Sequence, residues 1–420
     1  MAPPAQHGSE TLQVGRNAAL VLLLVSLLAG AQLAVNAIED ASWNAGAARA
    51  RFSLSLLACT VGLAAVAEPI RRRRPARLKL GLAGALLACC ACLPAVSSQA
   101  QLAAVRFESP HLNDIPLTTM AAARAMASGA NPYTSPVDPR AESGEQQRNY
   151  DGFKYMPLMA VAYLPSALAG SERGVILTNA LLNLLAVAIV FLLARSIGGD
   201  LAGALALIFY LSIRMVPRQL YGPGVTDLAA IVPLLAAFLA GETRPFLGGL
   251  LVGVSVSTKI LPALALVPVF APPVAPWKTP AGRRFSLGLA TGCLPALLYF
   301  LWSPAGLLSN VVFFNLFRPV DSTSWLDGHP ATWRTAATIA LLCVLIAGGL
   351  VRWVARPAVR SRAVLILVLV VAMTLLGPVN HGNYQLWWLP WFSVVLAFSL
   401  AVFLQPPGES ARVGSAISRT

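Results

Sequence analysis

Few side chains in this chain could do chemistry, and they gather in short polar blocks between long apolar runs. Asp114 stands in Ser109-Pro110-His111-Leu112-Asn113-Asp114-Ile115-Pro116. A carboxylate there either takes a proton from a hydroxyl or, like Asn113 beside it, caps the helix that follows. Lys259 is one of only four lysines and lies between two apolar runs, where an unpaired ammonium is expensive. It either meets an anion such as a phosphate or snorkels to the interface, and a Met in its place should suit the surrounding helices. His381, in Gly377-Pro378-Val379-Asn380-His381-Gly382-Asn383-Tyr384, precedes Trp387, Trp388 and Trp391. An imidazole there either holds phosphate or is a plain interfacial group, and the tryptophans read as a membrane-boundary belt. Arg214 and Arg218 flank the segment that leads to Asp227: Arg218 is a second phosphate candidate, and Asp227 either pairs with it or binds sugar.

The elements that must position these groups are membrane helices. Of 420 residues 57% are hydrophobic and 11% charged, and a soluble domain of this length needs about a quarter of its residues charged. Apolar runs fall near 17–38, 52–70, 80–102, 174–194, 200–216, 225–240, 245–258, 261–272, 284–302, 333–352, 363–378 and 385–404. The expected fold is therefore an all-α polytopic membrane protein of about twelve transmembrane or half-length helices, with an outer-face loop carrying interfacial helices. The runs 245–258 and 261–272 are shorter than the ~20 residues of a full crossing and meet at a break, Thr258-Lys259-Ile260-Leu261-Pro262. The run from Phe153 to Gly170 is apolar, but Pro157 and Pro165 interrupt it, so it is expected to lie at the outer interface.

Arginine clusters set the orientation. Arg71-Arg72-Arg73-Arg74 with Arg77 and Lys79, then Lys278, Arg283 and Arg284, then Arg352, Arg356, Arg360 and Arg362 all fall on one side of the layout, which the positive-inside rule makes cytoplasmic. Both termini join them, in the inner (plasma) membrane, and the tails 1–14 and 405–420 are polar. Residues 15–79 supply two N-terminal helices and a basic loop, and 80–404 the core, with long outer loops at 103–173 and 303–332. The start does not read as a cleavable signal peptide, because a polar stretch precedes an apolar run that is too long for one. The net charge of +14 is this topology signal, and no nucleic-acid partner is expected. The six cysteines fall inside apolar runs without metal-ligand spacing and read as small core residues.

Between 110 and 157 the composition turns mixed. Early Pro116 and terminal Gly129 bracket a helix over 115–128. Gly129-Ala130-Asn131-Pro132-Tyr133 follows, then a polar linker and Phe153-Lys154-Tyr155-Met156-Pro157. A carboxylate just beyond an early span, an Ala-rich helix, G-x-N-P-Y, F-x-Y-x-P and a later K-x-x-P at Lys259 and Pro262, in that order, resemble the polyprenol-phosphate-dependent glycosyltransferases of the GT-C class. Within that class the chain is most similar to family 87, the mannosyltransferase-like group, over roughly 80–400. It departs from the usual pattern in its two additional N-terminal helices, in Ile-Pro-Leu after Asp114, and in Gly222-Pro223-Gly224 where relatives carry Gly-Gln.

The resemblance implies a hexosyltransferase that moves a sugar, mannose first among candidates, from a polyprenyl-phosphate donor to a hydroxyl of a lipid-linked or cell-envelope glycan acceptor at the outer face. It implies Asp114 as the base. Lys259, Arg218 and His381 are the candidates for the donor phosphate, and Tyr133, Lys154, Tyr155, Asp227 and Arg318 are candidate substrate contacts. No cofactor is expected, and Asp321 to His329 forms no compact metal motif. The competing reading is a twelve-helix secondary transporter, which needs ionisable groups at the bilayer midplane and symmetric halves. Here most acids fall in outer loops and the halves are dissimilar.

Overall fold

Polar residues are scarce enough in this chain that backbone groups must satisfy one another within helices, and all regular structure among the described residues is helical. The structure is a computed structural model. It describes residues 96–137, 152–317, 330–355, 359–376 and 382–404, apart from 98, 242, 261–265, 268 and 271–277. In chain order the helices are α1 (Asp114–Ala127), α2 (Pro157–Ala162), α3 (Leu164–Leu168), α4 (Glu172–Ser212), α5 (Met215–Tyr221), α6 (Leu228–Ala240), α7 (Pro245–Val256), α8 (Pro280–Trp302) and α9 (Pro304–Leu307). A π-helical turn (Leu308–Phe313) leads from α9 into α10 (Phe314–Phe317). Then come α11 (Ala331–Ala355), α12 (Val359–Leu376), a 3₁₀ segment (Gly382–Trp387) and α13 (Leu389–Leu404).

Two helices among the described residues, α4 and α8, are long and apolar enough to cross a membrane. Leu177, Leu181, Leu184 and Leu185 on α4, and Leu287, Leu294, Leu298 and Leu301 on α8, are exposed at spacings that put each set on one helix face. A hydrocarbon phase is the environment such stripes suit. The expectation of twelve membrane elements is thus met only in part. The run 225–240 becomes the 13-residue α6 and the run 245–258 the 12-residue α7, each about 20 Å or less at 1.5 Å per residue, short of a ~30 Å core. The runs 174–194 and 200–216 belong to one helical stretch, interrupted at Gly199 with φ 80° and ψ −174°, a conformation essentially confined to glycine. The runs 17–38 and 52–70, the tails, and most of 80–102 lie outside the described residues, as do Arg71–Arg74.

The chain divides into two compact units. One holds the described parts of 1–101, 190–214 and 393–420. Its core includes Leu193, Ile197, Leu205, Ile208, Val394 and Phe398, and Gln99 Nε2 donates to the Leu211 carbonyl at 3.1 Å. The other unit, 102–189 and 215–392, carries the candidate site.

In that second unit α7 and α8 lie in close backbone contact. Gly249 and Gly253 on α7 face Gly288 and Gly292 on α8, and a Cβ at any of the four would run into a backbone carbonyl oxygen of the other helix. Small residues at four-residue spacing on both helices are what permit such an approach in a membrane. Ser257 Oγ, just past α7, donates to the Gly292 carbonyl at 2.8 Å, and Ser255 Oγ to the Ala230 carbonyl at 2.7 Å. The end of α7 is thereby held to both α8 and α6.

The expected interfacial run 153–170 forms α2 and α3, which have 6 and 5 residues, far too few to cross. Each starts on a proline at its first or second position, Pro157 and Pro165, where the missing N–H costs nothing.

Candidate functional site

Asp227 is the last residue before α6, and its side chain makes no capping bond to that helix. The turn that delivers it, Leu220 to Val225, is tied from behind by α4. Asn179 Nδ2 donates to the carbonyls of Leu220 at 2.8 Å and Val225 at 3.1 Å, and Asn179 Oδ1 accepts from the Tyr163 hydroxyl at 2.6 Å. Asn179 and Tyr163 are both fully buried. Their mutual satisfaction makes that burial tolerable and fixes the turn.

The carboxylate so placed is 1% exposed. Lys259 Nζ bonds Asp227 Oδ1 at 2.6 Å, Trp387 Nε1 donates to the same oxygen at 2.6 Å, and Asn383 Nδ2 donates to Oδ2 at 3.0 Å. Lys259 sits where the chain leaves α7, its N–H donating to the Ser255 carbonyl at 2.9 Å. Its ammonium lies 5.0 Å from the ring centroid of Tyr384, 5.5 Å from that of Tyr155 and 5.9 Å from that of Trp387, within cation–π range of each. Four separate segments thus converge on one buried ion pair. A buried pair is costly to desolvate and is sustained only by good geometry and further hydrogen bonds, both of which this one has.

Lys259 lies just past the end of α7, where the sequence puts a break, and Asp227 pairs with it. Arg218 is exposed on α5, and Asp227 takes Lys259 in its place because the turn into α6 aims the carboxylate inward. Trp387 and Trp391 are not boundary anchors either: both are buried, Trp387 by its bond to Asp227 and Trp391 by an edge-on contact with Phe238 at 5.3 Å.

The loop blocks of the outer segment assemble beside this pair. The Tyr133 hydroxyl donates to the Tyr155 carbonyl at 2.9 Å, and the Phe153 N–H to the Pro132 carbonyl at 2.8 Å. Leu158 N–H donates to the Ser257 carbonyl at 2.9 Å, which ties Phe153–Pro157 to the residues just before Lys259. Tyr133 is 1% exposed, so it shapes the loop and offers no surface to a ligand. Burial, with a smaller contribution from Tyr299, pushes its hydroxyl well above the ordinary tyrosine value, and it remains a donor at neutral pH. Lys154 bonds Asn310 Oδ1 and lies over the Phe314 ring at 4.9 Å. Asn310 sits in the π-helical turn, and its Nδ2 donates to the carbonyls of Tyr133 at 3.0 Å and Gly306 at 3.1 Å.

The helix expected at 115–128 is α1. Asn113, not Asp114, is its cap: the Asn113 side chain accepts from the Ile115 N–H at 3.1 Å. Asp114 is the first helical residue and is half-buried. Asn113 N–H donates to the Pro223 carbonyl at 2.9 Å, which joins the start of α1 to the turn that carries Asp227. His381 and Arg318 lie outside the described residues, as do Asp321 and His329.

Asn383, Asn179, Tyr163 and Asn310 were not singled out by sequence, and Trp387 only as part of a boundary belt. The available signal was a carboxamide stranded in an apolar run, as at Asn179 and Asn310, which membrane burial makes expensive without a partner.

No protein-family model matches the chain, and neither the curated proteins nor the solved structures include a match.

Proposed function

We propose that the chain is an integral-membrane glycosyltransferase that moves a hexose, mannose first among candidates, from a polyprenyl-phosphate donor to a hydroxyl of a lipid-linked or cell-envelope glycan. The reading belongs to the outer face of a multi-pass protein of the inner (plasma) membrane, with about twelve GT-C-like elements and both termini cytoplasmic. The observation that supports it best is the assembly of the separate blocks around one centre. G-x-N-P-Y is bonded to F-x-Y-x-P, Leu158 directly after F-x-Y-x-P is bonded to Ser257 at the end of α7, and the Tyr155 ring faces the Lys259 ammonium. Asp114 is linked through Asn113 and Pro223 to the same turn as Asp227.

In this reading Asp114 accepts the proton of the acceptor hydroxyl as its oxygen bonds to the anomeric carbon. The bond from that carbon to the phosphate oxygen breaks, and the electron pair leaves with polyprenyl phosphate, whose growing charge Lys259 stabilises. No metal or redox partner is needed for that balance. Purified protein in proteoliposomes, given polyprenyl-phosphate mannose and a membrane-glycan extract, should yield a sugar-extended product by mass spectrometry. Absence of product with mannose and other hexose donors alike would remove the reading.

The buried Asp227–Lys259 pair favours one competitor, a secondary transporter, since intramembrane ionisable pairs also mark transport paths. Counterflow of a polar solute in the same proteoliposomes, without any new glycosidic bond, would select it.

A further inference from the structure

The Asp227 carboxylate is better supplied with donors than an ion pair requires. Besides Lys259 it accepts from Trp387 on Oδ1 and from Asn383 on Oδ2, and both of these donors are neutral. If the ammonium turned away, the carboxylate would keep a hydrogen bond on each oxygen and would not be orphaned in a dry interior. The pair is also lopsided in exposure, with side chains 10% exposed at Lys259 and 1% at Asp227. Tyr155 and Tyr384, which flank the ammonium, are half-buried, whereas Trp387 is buried. The ammonium is therefore nearer the surface than the carboxylate. The ammonium rides on a flexible four-carbon stem.

We infer that Asp227 is a built-in competitor for the anion that Lys259 binds: a phosphate group entering beside Tyr155 and Tyr384 takes the ammonium from Asp227, while Trp387 and Asn383 hold the carboxylate left behind. This rests on the reading of Lys259 as a lipid-phosphate ligand and adds a regulation of that site. An exchange of anions discriminates by charge. A phosphodiester donor brings one negative charge to compete with one carboxylate, whereas the released phosphomonoester approaches two at neutral pH, its second ionisation lying near pH 6. The product should therefore hold the site better than the donor does, and turnover should slow as polyprenyl phosphate accumulates.

The test is binding of polyprenyl monophosphate to the full chain in nanodiscs of zwitterionic phospholipid, with inorganic phosphate and phosphate-free polyprenol in parallel arms. Asp227→Asn removes the competitor but keeps the shape, and should tighten lipid-phosphate binding about tenfold, equivalent to ~1.4 kcal/mol. A residue with only a structural role would leave the affinity unchanged or lower. Asn383→Leu removes one neutral donor, makes the carboxylate depend more on Lys259, and should weaken binding several-fold, so the two variants move in opposite directions. Polyprenol should not bind the site in any variant. An equal response to inorganic phosphate would support the exchange and assign the site to free phosphate. If wild type binds polyprenyl phosphate and Asp227→Asn binds it no tighter, the competitor is overturned while the donor-site reading stands. If Asp227→Asn folds poorly, Asn383→Leu decides alone, and unchanged or tighter binding overturns the inference. If neither wild type nor any variant binds, both fall.

Discussion

Lys259 and Asp227 illustrate how a partner reverses an expectation about a single residue. Taken alone among apolar runs, Lys259 is a group that Met should replace without harm to folding. Opposite a carboxylate that is 1% exposed, the same substitution leaves a buried charge held only by the neutral donors Trp387 and Asn383, a loss of about 1.5–3 kcal/mol for the charged hydrogen bond removed. Lys259→Met should therefore lower the thermal midpoint in detergent, and adding Asp227→Asn should restore most of the loss. Equal stabilities of wild type and the Lys259→Met single variant would argue against the pair. Asp114→Asn behaves differently, because Asn113 supplies the helix cap and Asn is nearly isosteric with Asp. That variant should reach normal abundance and lose about two to four orders of magnitude in transfer rate; near-normal transfer would remove Asp114 from the chemistry. Sequence could pick out Lys259 because a lysine between apolar runs is conspicuous. It offered Arg218 as a partner for Asp227 because the two are close in sequence, whereas the partners in the structure, at 259, 383 and 387, are brought together only by packing.

At the scale of elements, the glycine contact between α7 and α8 reaches the site through one hydroxyl. Ser257 bonds Gly292 on α8, two residues before Lys259. Gly253→Leu should force the helices apart, an overpacking cost of about 1–3 kcal/mol, and displace Lys259 with α7. The expected result is a lower thermal midpoint together with reduced lipid-phosphate binding, while Leu250→Met, a volume-conserving change, should alter neither by much. Much of this level was legible. The end of the helix before Lys259, the helix near 115–128 and the proline-interrupted run after Phe153 all follow from prolines, glycines and caps, which act within a turn or two of themselves. The four-residue glycine spacing was equally visible in the sequence, but its meaning depends on the facing helix having the same spacing at the right height. The π-helical turn that aims Asn310 at Tyr133 has no comparable local mark.

For the whole molecule, the prediction is topological. Cysteine accessibility in intact cells should place residues 71–79, 278–284 and 352–362 inside, and 103–152 and 303–332 outside; an inside location for Asp114 would sink the outward-facing enzyme. The hydropathic runs made the all-helical class legible, because in hydrocarbon a helix meets its own backbone hydrogen bonds. They did not fix the number of crossings. A run's length in sequence does not reveal that a Gly199 joins two of them or that α6 and α7 stop short.

The brevity of α7 has a consequence for biosynthesis. Its 12 residues make a segment of about 18 Å, too short to be held by lipid alone, and the glycine face that α8 covers is made before α8 exists. At about 5–20 residues per second, the ribosome takes seconds to go from the end of α7 to the end of α8. The nascent chain must therefore wait at the translocon until the second helix emerges, and the two should enter the bilayer as one hairpin. In nascent chains stalled before Pro280 a photocrosslinker in α7 should still reach the translocon, and in chains extended well past Trp302 it should reach α8 and lipid instead.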